Sequence, residues 1–292
     1  MKKEIRELGD GVMRVTTVDE RWYVRDGIDP ATGLPVKQFV PSVTWIAGHY
    51  PKGIGFYKWL ANTGWDESQA LRNAAGDKGS RVHHAIMDLI DGHTVAMDAK
   101  VAGSDGVEAE LSLEEYECLM SFRDFWKACE PETLAREMTV FSAEHNYAGT
   151  LDWVGMFNKP PKGLSKGPWL LDWKTSQQVW PEHEMQVSAY SHSDWMGHLA
   201  ADGSLRLADY SGRCSLGILQ LGYRLNKAKW KLTEVEDQFP LFLAAKQIWA
   251  HETEGEKPKQ RDYPLTLSLG IADAVGTTPA TDTTGAAYVT EA

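Results

Sequence analysis

Two apolar segments near the middle of the chain each carry a carboxylate that an ordinary core strand would not keep. "AGTLDWVGMF" holds Asp152 and "WLLDWKT" holds Asp172, inside runs whose length and residue types fit buried strands. The Pro/Gly/Lys-rich "NKPPKGLSKGP" between them reads as the connecting loop. Side chains alternate across a strand, so Asp172 and Lys174 project to one side while Leu171 and Trp173 face the other. A charge in such surroundings is costly unless it is paired or used. A hairpin of the two segments would bring both carboxylates to one face, where they repel unless a proton or a cation lies between them. Either Asp172 and Lys174 form a structural ion pair near the strand end, or the chain folds around a polar site set in an apolar sheet. A second D-x-K, at Asp98 and Lys100, lies in a polar loop where solvation alone explains it.

The surrounding pattern predicts the rest of the architecture. Residues 1–40 read as a β-rich or irregular segment, with "RVTTV" and "RWYVRD" alternating before the turn residues of "DPATGLP". "PSVTWIAGHYP" reads as a short β-like run. Helical periodicity covers Ile54 to Ile90, interrupted around "AAGDKGS", with Ser80 as the cap of its second part. "DGHTVAMDAKVAGSDGVEAE" reads as a loop, and "SLEEYECLMSFRDFWKACEP" as a helix with Ser112 and Glu115 in capping-box positions. "EMTVFSA" is a further strand, and "PEHEMQVSAYSHSDWMGHLA" a helix with Pro181 in its first turn. "CSLGILQLGY" and "KAKWKLTEV" read as a hairpin, and "EDQFPLFLAAKQIWAHE" as a last helix with Pro240 near its start. This order predicts an α/β fold, a central mixed β-sheet flanked by helices, with a helical part ahead of it. The main domain is expected over 41–266. The Thr-rich residues 267–292 read as a disordered tail.

Composition narrows the class of function. With 42% hydrophobic and 24% charged residues and no long uncharged apolar run, the chain reads as soluble, with no membrane partner. The first residues, "MKKEIRELGDG", lack the apolar run of a secretory signal. Cys118, Cys129 and Cys214 form no close-spaced pair, which points to a reducing, cytoplasmic setting. The formal charge of -11 argues against a general nucleic-acid binder, yet a local cation and a few basic side chains suffice for one site. Converging carboxylates with room for water suit Mg²⁺ or Mn²⁺, and a neighbouring lysine can offset charge on a phosphoryl oxygen. That combination fits metal-assisted hydrolysis of a phosphodiester.

Gly149 with Asp152, Asp172 to Thr175, and Gln186 with Tyr190 form the ordered series G-x-x-D, D-x-K-T and Q-x-x-x-Y. The series resembles the core of the PD-(D/E)XK nuclease superfamily, in its RecB-like, phage-type exonuclease branch. "GSRVHHAIMDLIDG" resembles the upstream helix of that branch, and "PSVTWIAGHYPKGIGFYKWLANTG" its lead-in, so the likeness covers roughly residues 40–195. The resemblance implies a restriction-endonuclease-like core and a metal-dependent exonuclease acting on DNA, in phage or bacterial recombination or repair. A single-strand-annealing or recombination protein would be its partner in the bacterial or phage-infected cell. It implies Asp152, Asp172, His83 and the Trp173 main-chain carbonyl as metal ligands, Lys174 as the catalytic lysine, and Gln186 and Tyr190 beside them. Glu137 matches an acidic position often seen in such nucleases. His84, next to His83, is expected at the surface. The four-cysteine iron–sulfur set of some relatives has no counterpart here, so no cluster is expected. A structure-selective endonuclease and a catalytically silent DNA-binding protein on the same core stay open.

Overall fold

The computed structural model describes residues 4–9, 11–17, 20–28, 31–104, 106–193, 195–196, 214–223 and 229–253. The segment read as a tail, 267–292, lies outside them. Four antiparallel strands come first: β1 (Glu4–Gly9), β2 (Val12–Thr16), β3 (Arg21–Ile28) and β4 (Pro35–Pro41), in that spatial order. The β-like reading of "PSVTWIAGHYP" gives way to a short helix, α1 (Val43–Ala47), because Ser42 accepts a hydrogen bond from the Trp45 amide and caps it. Trp45 then joins Trp22 of β3 and Trp249 in an edge-to-face group with centroids 5.1–6.0 Å apart. That aromatic group fastens the first sheet to the body of the protein.

Helix α2 (Ile54–Thr63) ends at Gly64, whose φ of 85° lets the chain turn into α3 (Trp65–Ile90). The interruption expected near Gly76 and Gly79 does not occur; α3 runs through both, and Ser80 caps nothing. Each glycine costs a helix only about 1 kcal/mol, too little to break one anchored by Val82, Ala85 and Ile86 in the core. The segment read as a loop contains a small hairpin, β5 (Lys100–Ala102) with β6 (Glu108–Glu110). There Ala102 offers its carbonyl to His84 Nδ1 at 2.9 Å, so His84 is half-buried rather than a plain surface group. The expected capping box starts α4 (Leu113–Cys129): Ser112 accepts from the Glu115 amide, and Glu115 accepts from the Ser112 amide.

The large sheet follows. It contains β7 (Pro131–Ser142), β8 (Tyr147–Phe157), β9 (Trp169–Lys174), β10 (Trp195–Met196), β11 (Ser215–Tyr223) and β12 (Lys229–Val235), in the order β10-β7-β8-β9-β11-β12. β9 and β11 are parallel and the other pairs antiparallel, which makes the sheet mixed, as expected. α5 (Pro181–Ser191) lies in the crossover between the parallel strands, and α6 (Phe239–Glu252) packs on α5 and α1. The helix expected to continue past Ser191 stops there and gives way to β10. Lys229 and Lys231 lie exposed on the edge strand β12, while Trp230 between them packs edge-to-face on Phe125.

Strand alternation separates the two faces of this sheet. Trp169, Leu171 and Trp173 of β9 join Phe122 and Phe125 of α4 in the main core, with Phe122 and Trp173 rings 5.4 Å apart. Asp172 and Lys174 turn instead toward α5, where Gln186 meets them. Among the described residues no helix is long and apolar enough to cross a membrane.

Candidate active site

β8 and β9 are antiparallel neighbours, and their registered pairing covers only Trp153↔Leu171 to Gly155↔Trp169. Just past the end of that ladder the Asp152 carboxylate replaces a main-chain acceptor: Oδ2 takes a hydrogen bond from the Trp173 amide at 2.7 Å. One carboxylate thus both closes the hairpin and ties Asp152 to the strand that carries Asp172. Both are buried, Asp172 to 1% exposure.

Asp152 Oδ1 lies 3.5 Å from His83 Nδ1, and Glu137 Oε1 lies 3.9 Å from the same nitrogen. The other ring nitrogen, Nε2, is 3.1 Å from the Trp173 carbonyl. Three acceptors from three strands therefore converge on one imidazole of α3. One atom each of His83, Glu137 and Asp152 falls within 4.8 Å of the others, close enough to share one cation. Burial alone would lower the His83 pKa, but Asp152 and Glu137 outweigh it and raise it to about 9. Burial also drives the Asp152 carboxyl well above the carboxylate range, with Asp172 and Glu137 adding to the rise against His83. The imidazole and the carboxyl interact directly, so the two shifts belong to the pair as a unit.

Glu137 reaches this cluster at a conformational cost. Its φ is +43°, in the left-handed region, although it sits inside β7 between the pairs Arg136↔Trp153 and Met138↔Leu151. A non-glycine residue there costs on the order of 1–3 kcal/mol, and such strain concentrates at functional sites. Sequence alone gave Glu137 the weakest claim of the acidic set; the backbone places it beside His83 and Asp152.

Asp172 is held on the α5 side. Lys174 Nζ lies 2.5 Å from its Oδ2, and Gln186 Nε2 donates to its Oδ1 at 3.0 Å. The Lys174 ammonium pairs with Oδ2 by charge, and a carboxylate oxygen has a second lone pair to offer. Gln186 also accepts from Lys174 through Oε1 at 3.3 Å and donates to the Tyr190 hydroxyl at 3.0 Å. The one-turn spacing of Gln186 and Tyr190 thus makes a brace across Asp172 and Lys174. Gly149 has a steric reason in this brace: a Cβ there would stand 2.3 Å from Tyr190 Cε1. Burial raises the Tyr190 hydroxyl well above its ordinary pKa, keeping it a neutral donor and acceptor.

Two neighbours carry no motif in the sequence. His183, one turn before Gln186, is pushed down to about 4 by burial and by Lys174, so its ring is neutral at pH 7. Lys52, ahead of α2, makes an ion pair with Glu182 in the first turn of α5. A lone histidine and a lone lysine have no periodicity to betray them; only the packing of α1 against α5 brings them here. A scan against family models and a search of curated proteins both find no match to this chain.

Proposed function

We propose that the chain is a divalent-metal-dependent deoxyribonuclease, an exonuclease of the PD-(D/E)XK type. The observation that carries this reading is the gathering of His83 of α3, Glu137 of β7, Asp152 of β8, Asp172 and Lys174 of β9, and Gln186 of α5 into one neighbourhood. The mixed sheet with helices on both faces suits a restriction-endonuclease-like core.

The donors fit Mg²⁺ or Mn²⁺. They are carboxylates, one main-chain carbonyl and one imidazole, and Asp172 Oδ2 retains the acceptor capacity that a cation would use. Asp152, Asp172, the Trp173 carbonyl and His83 would hold the ion, with Glu137 at its exposed side. When bound, such an ion supplies Lewis-acid stabilisation and a more acidic water for hydrolysis.

The chain's own groups do the positioning. Lys174 holds a positive charge 2.5 Å from Asp172, where it can offset negative charge growing on a phosphoryl oxygen. Gln186 keeps that ammonium and the Asp172 carboxylate in fixed relation. The Trp173 amide fixes the Asp152 oxygen that faces β9. Lys174→Ala is expected to lower cleavage of end-labelled linear DNA by about 100-fold or more, the scale for losing one such electrostatic group. Mn²⁺ binding, followed by calorimetry, should persist. Unchanged cleavage by the purified variant would remove Lys174 from the reaction. A covalently closed circle in the same assay separates the exonuclease from an endonuclease, because only the latter cuts it.

A further inference from the structure

Helix α2 has no buried residue along its ten positions, and its sequence, "IGFYKWLANT", is far too apolar for a solvated helix. Ile54, Phe56, Tyr57 and Trp59 are 41–72% exposed, and Trp65 at the start of α3 is 67% exposed. The Phe56 ring meets those of Tyr57 and Trp59, with centroids 5.6 and 5.8 Å away. An exposed aromatic cluster of this size marks a binding surface.

Its position and charge point to what binds. The ion pair of Lys52 with Glu182 sets the segment before α2 against the first turn of α5. Trp180, half exposed, stands at the N-terminal boundary of that helix, six residues after Lys174. The chain just ahead of α2 and the first turn of α5 therefore meet at this contact, and Lys52 acts electrostatically on His183, as Lys174 and Asp172 do. α2 carries Lys58 and no acidic residue, and Arg72 of α3 stands close enough to act electrostatically on Lys52. The nearest acids on this arm, Asp66 and Glu67, lie beyond Gly64 in the first turn of α3. Aromatic faces interleaved with cations suit unpaired bases and their phosphates, since every base offers a π-face. Paired bases in a duplex are already stacked and have no face to give.

We propose that α2, with Trp180, is a stacking platform for single-stranded nucleic acid, which delivers an unpaired end to the site. The proposal rests on the nuclease reading and adds the substrate class to it: single-stranded in preference to duplex. The test is fluorescence anisotropy with a labelled twenty-nucleotide oligo-dT and a twenty-base-pair blunt duplex, on the full chain with Lys174→Ala to block cleavage. Single strand should bind more tightly, and adding Trp59→Ala should weaken it by about 5- to 100-fold, the range for losing one stacked base. No α2 side chain is buried, so thermal melting should show that this variant folds. Equal affinity for both DNAs, or an unmoved single-strand affinity in Trp59→Ala, would overturn the proposal. So would light scattering in which Trp59→Ala turns an oligomer into a monomer without altering DNA binding, because a second copy would then cover the helix. Hydrolysis of bis(4-nitrophenyl) phosphate by the unmodified protein reports the nuclease reading separately, as that substrate has no bases to stack.

Discussion

Gly149→Ala is the smallest change that tests how the sheet meets α5. The added methyl would stand 2.3 Å from Tyr190 Cε1, whereas ordinary contact begins near 3.4 Å, so something must move by about 1 Å. The ring has little room, because Tyr190 is only 2% exposed and its hydroxyl accepts from Gln186. The neighbouring Tyr147 hydroxyl also pins α5 by donating to the Ala189 carbonyl at 2.8 Å. Overpacking of this kind costs about 1–3 kcal/mol, which for a domain of this size lowers Tm by roughly 2–12 °C. The displaced ring would drag Gln186, and with it the brace on Asp172 and Lys174, so cleavage should fall along with stability. A double-mutant cycle followed by thermal melting isolates the clash. In a Tyr190→Ala background the same Gly149→Ala change should cost nothing or stabilise slightly, since alanine loses less backbone entropy than glycine. An equal cost in both backgrounds would refute the claim that Gly149 exists to admit the tyrosine ring.

Three further outcomes follow from the site and the fold. Cation affinity should rise with pH from about 6 to 9 and release protons, because His83 and Asp152 hold protons that the ion displaces; calorimetry in buffers of different ionisation enthalpy measures this. In a chelator, stability contributed by His83 is complete below about 6.5 and is lost as pH rises through about 9. The raised Asp152 carboxyl acts in the same direction at lower pH, so Tm should fall across this range, and a flat profile would contradict the cluster. Ser112→Ala removes one half of the α4 capping box and should cost about 1 kcal/mol, or roughly 2–4 °C in Tm.

Much of this arrangement was legible because it is written in periodicity. The alternation of Leu171, Asp172, Trp173 and Lys174 marks two faces without coordinates, and the four-residue spacing of Gln186 and Tyr190 marks one. The capping box of α4 is equally local. What escaped depends on energies that no short window contains. Gly76 and Gly79 look like a break until the core contacts of Val82 and Ile86 are counted. Ser42 turns a β-branched run into a helix by one side-chain hydrogen bond. Glu137 was named through the family likeness but has no spacing signal of its own, since its place beside His83 comes from a left-handed backbone inside a strand. The exposure of α2 was invisible because helical periodicity does not say what packs on a helix; among the described residues none buries any of its positions.

The central claim is that His83, Asp152 and Asp172 share one divalent cation beside Lys174. A crystal soaked in Mn²⁺ and measured for anomalous scattering tests it most directly. The account predicts a single strong peak in coordination range of His83, the Asp152 and Asp172 carboxylates and the Trp173 carbonyl. A fully occupied peak elsewhere, with these groups still holding only each other, would contradict it.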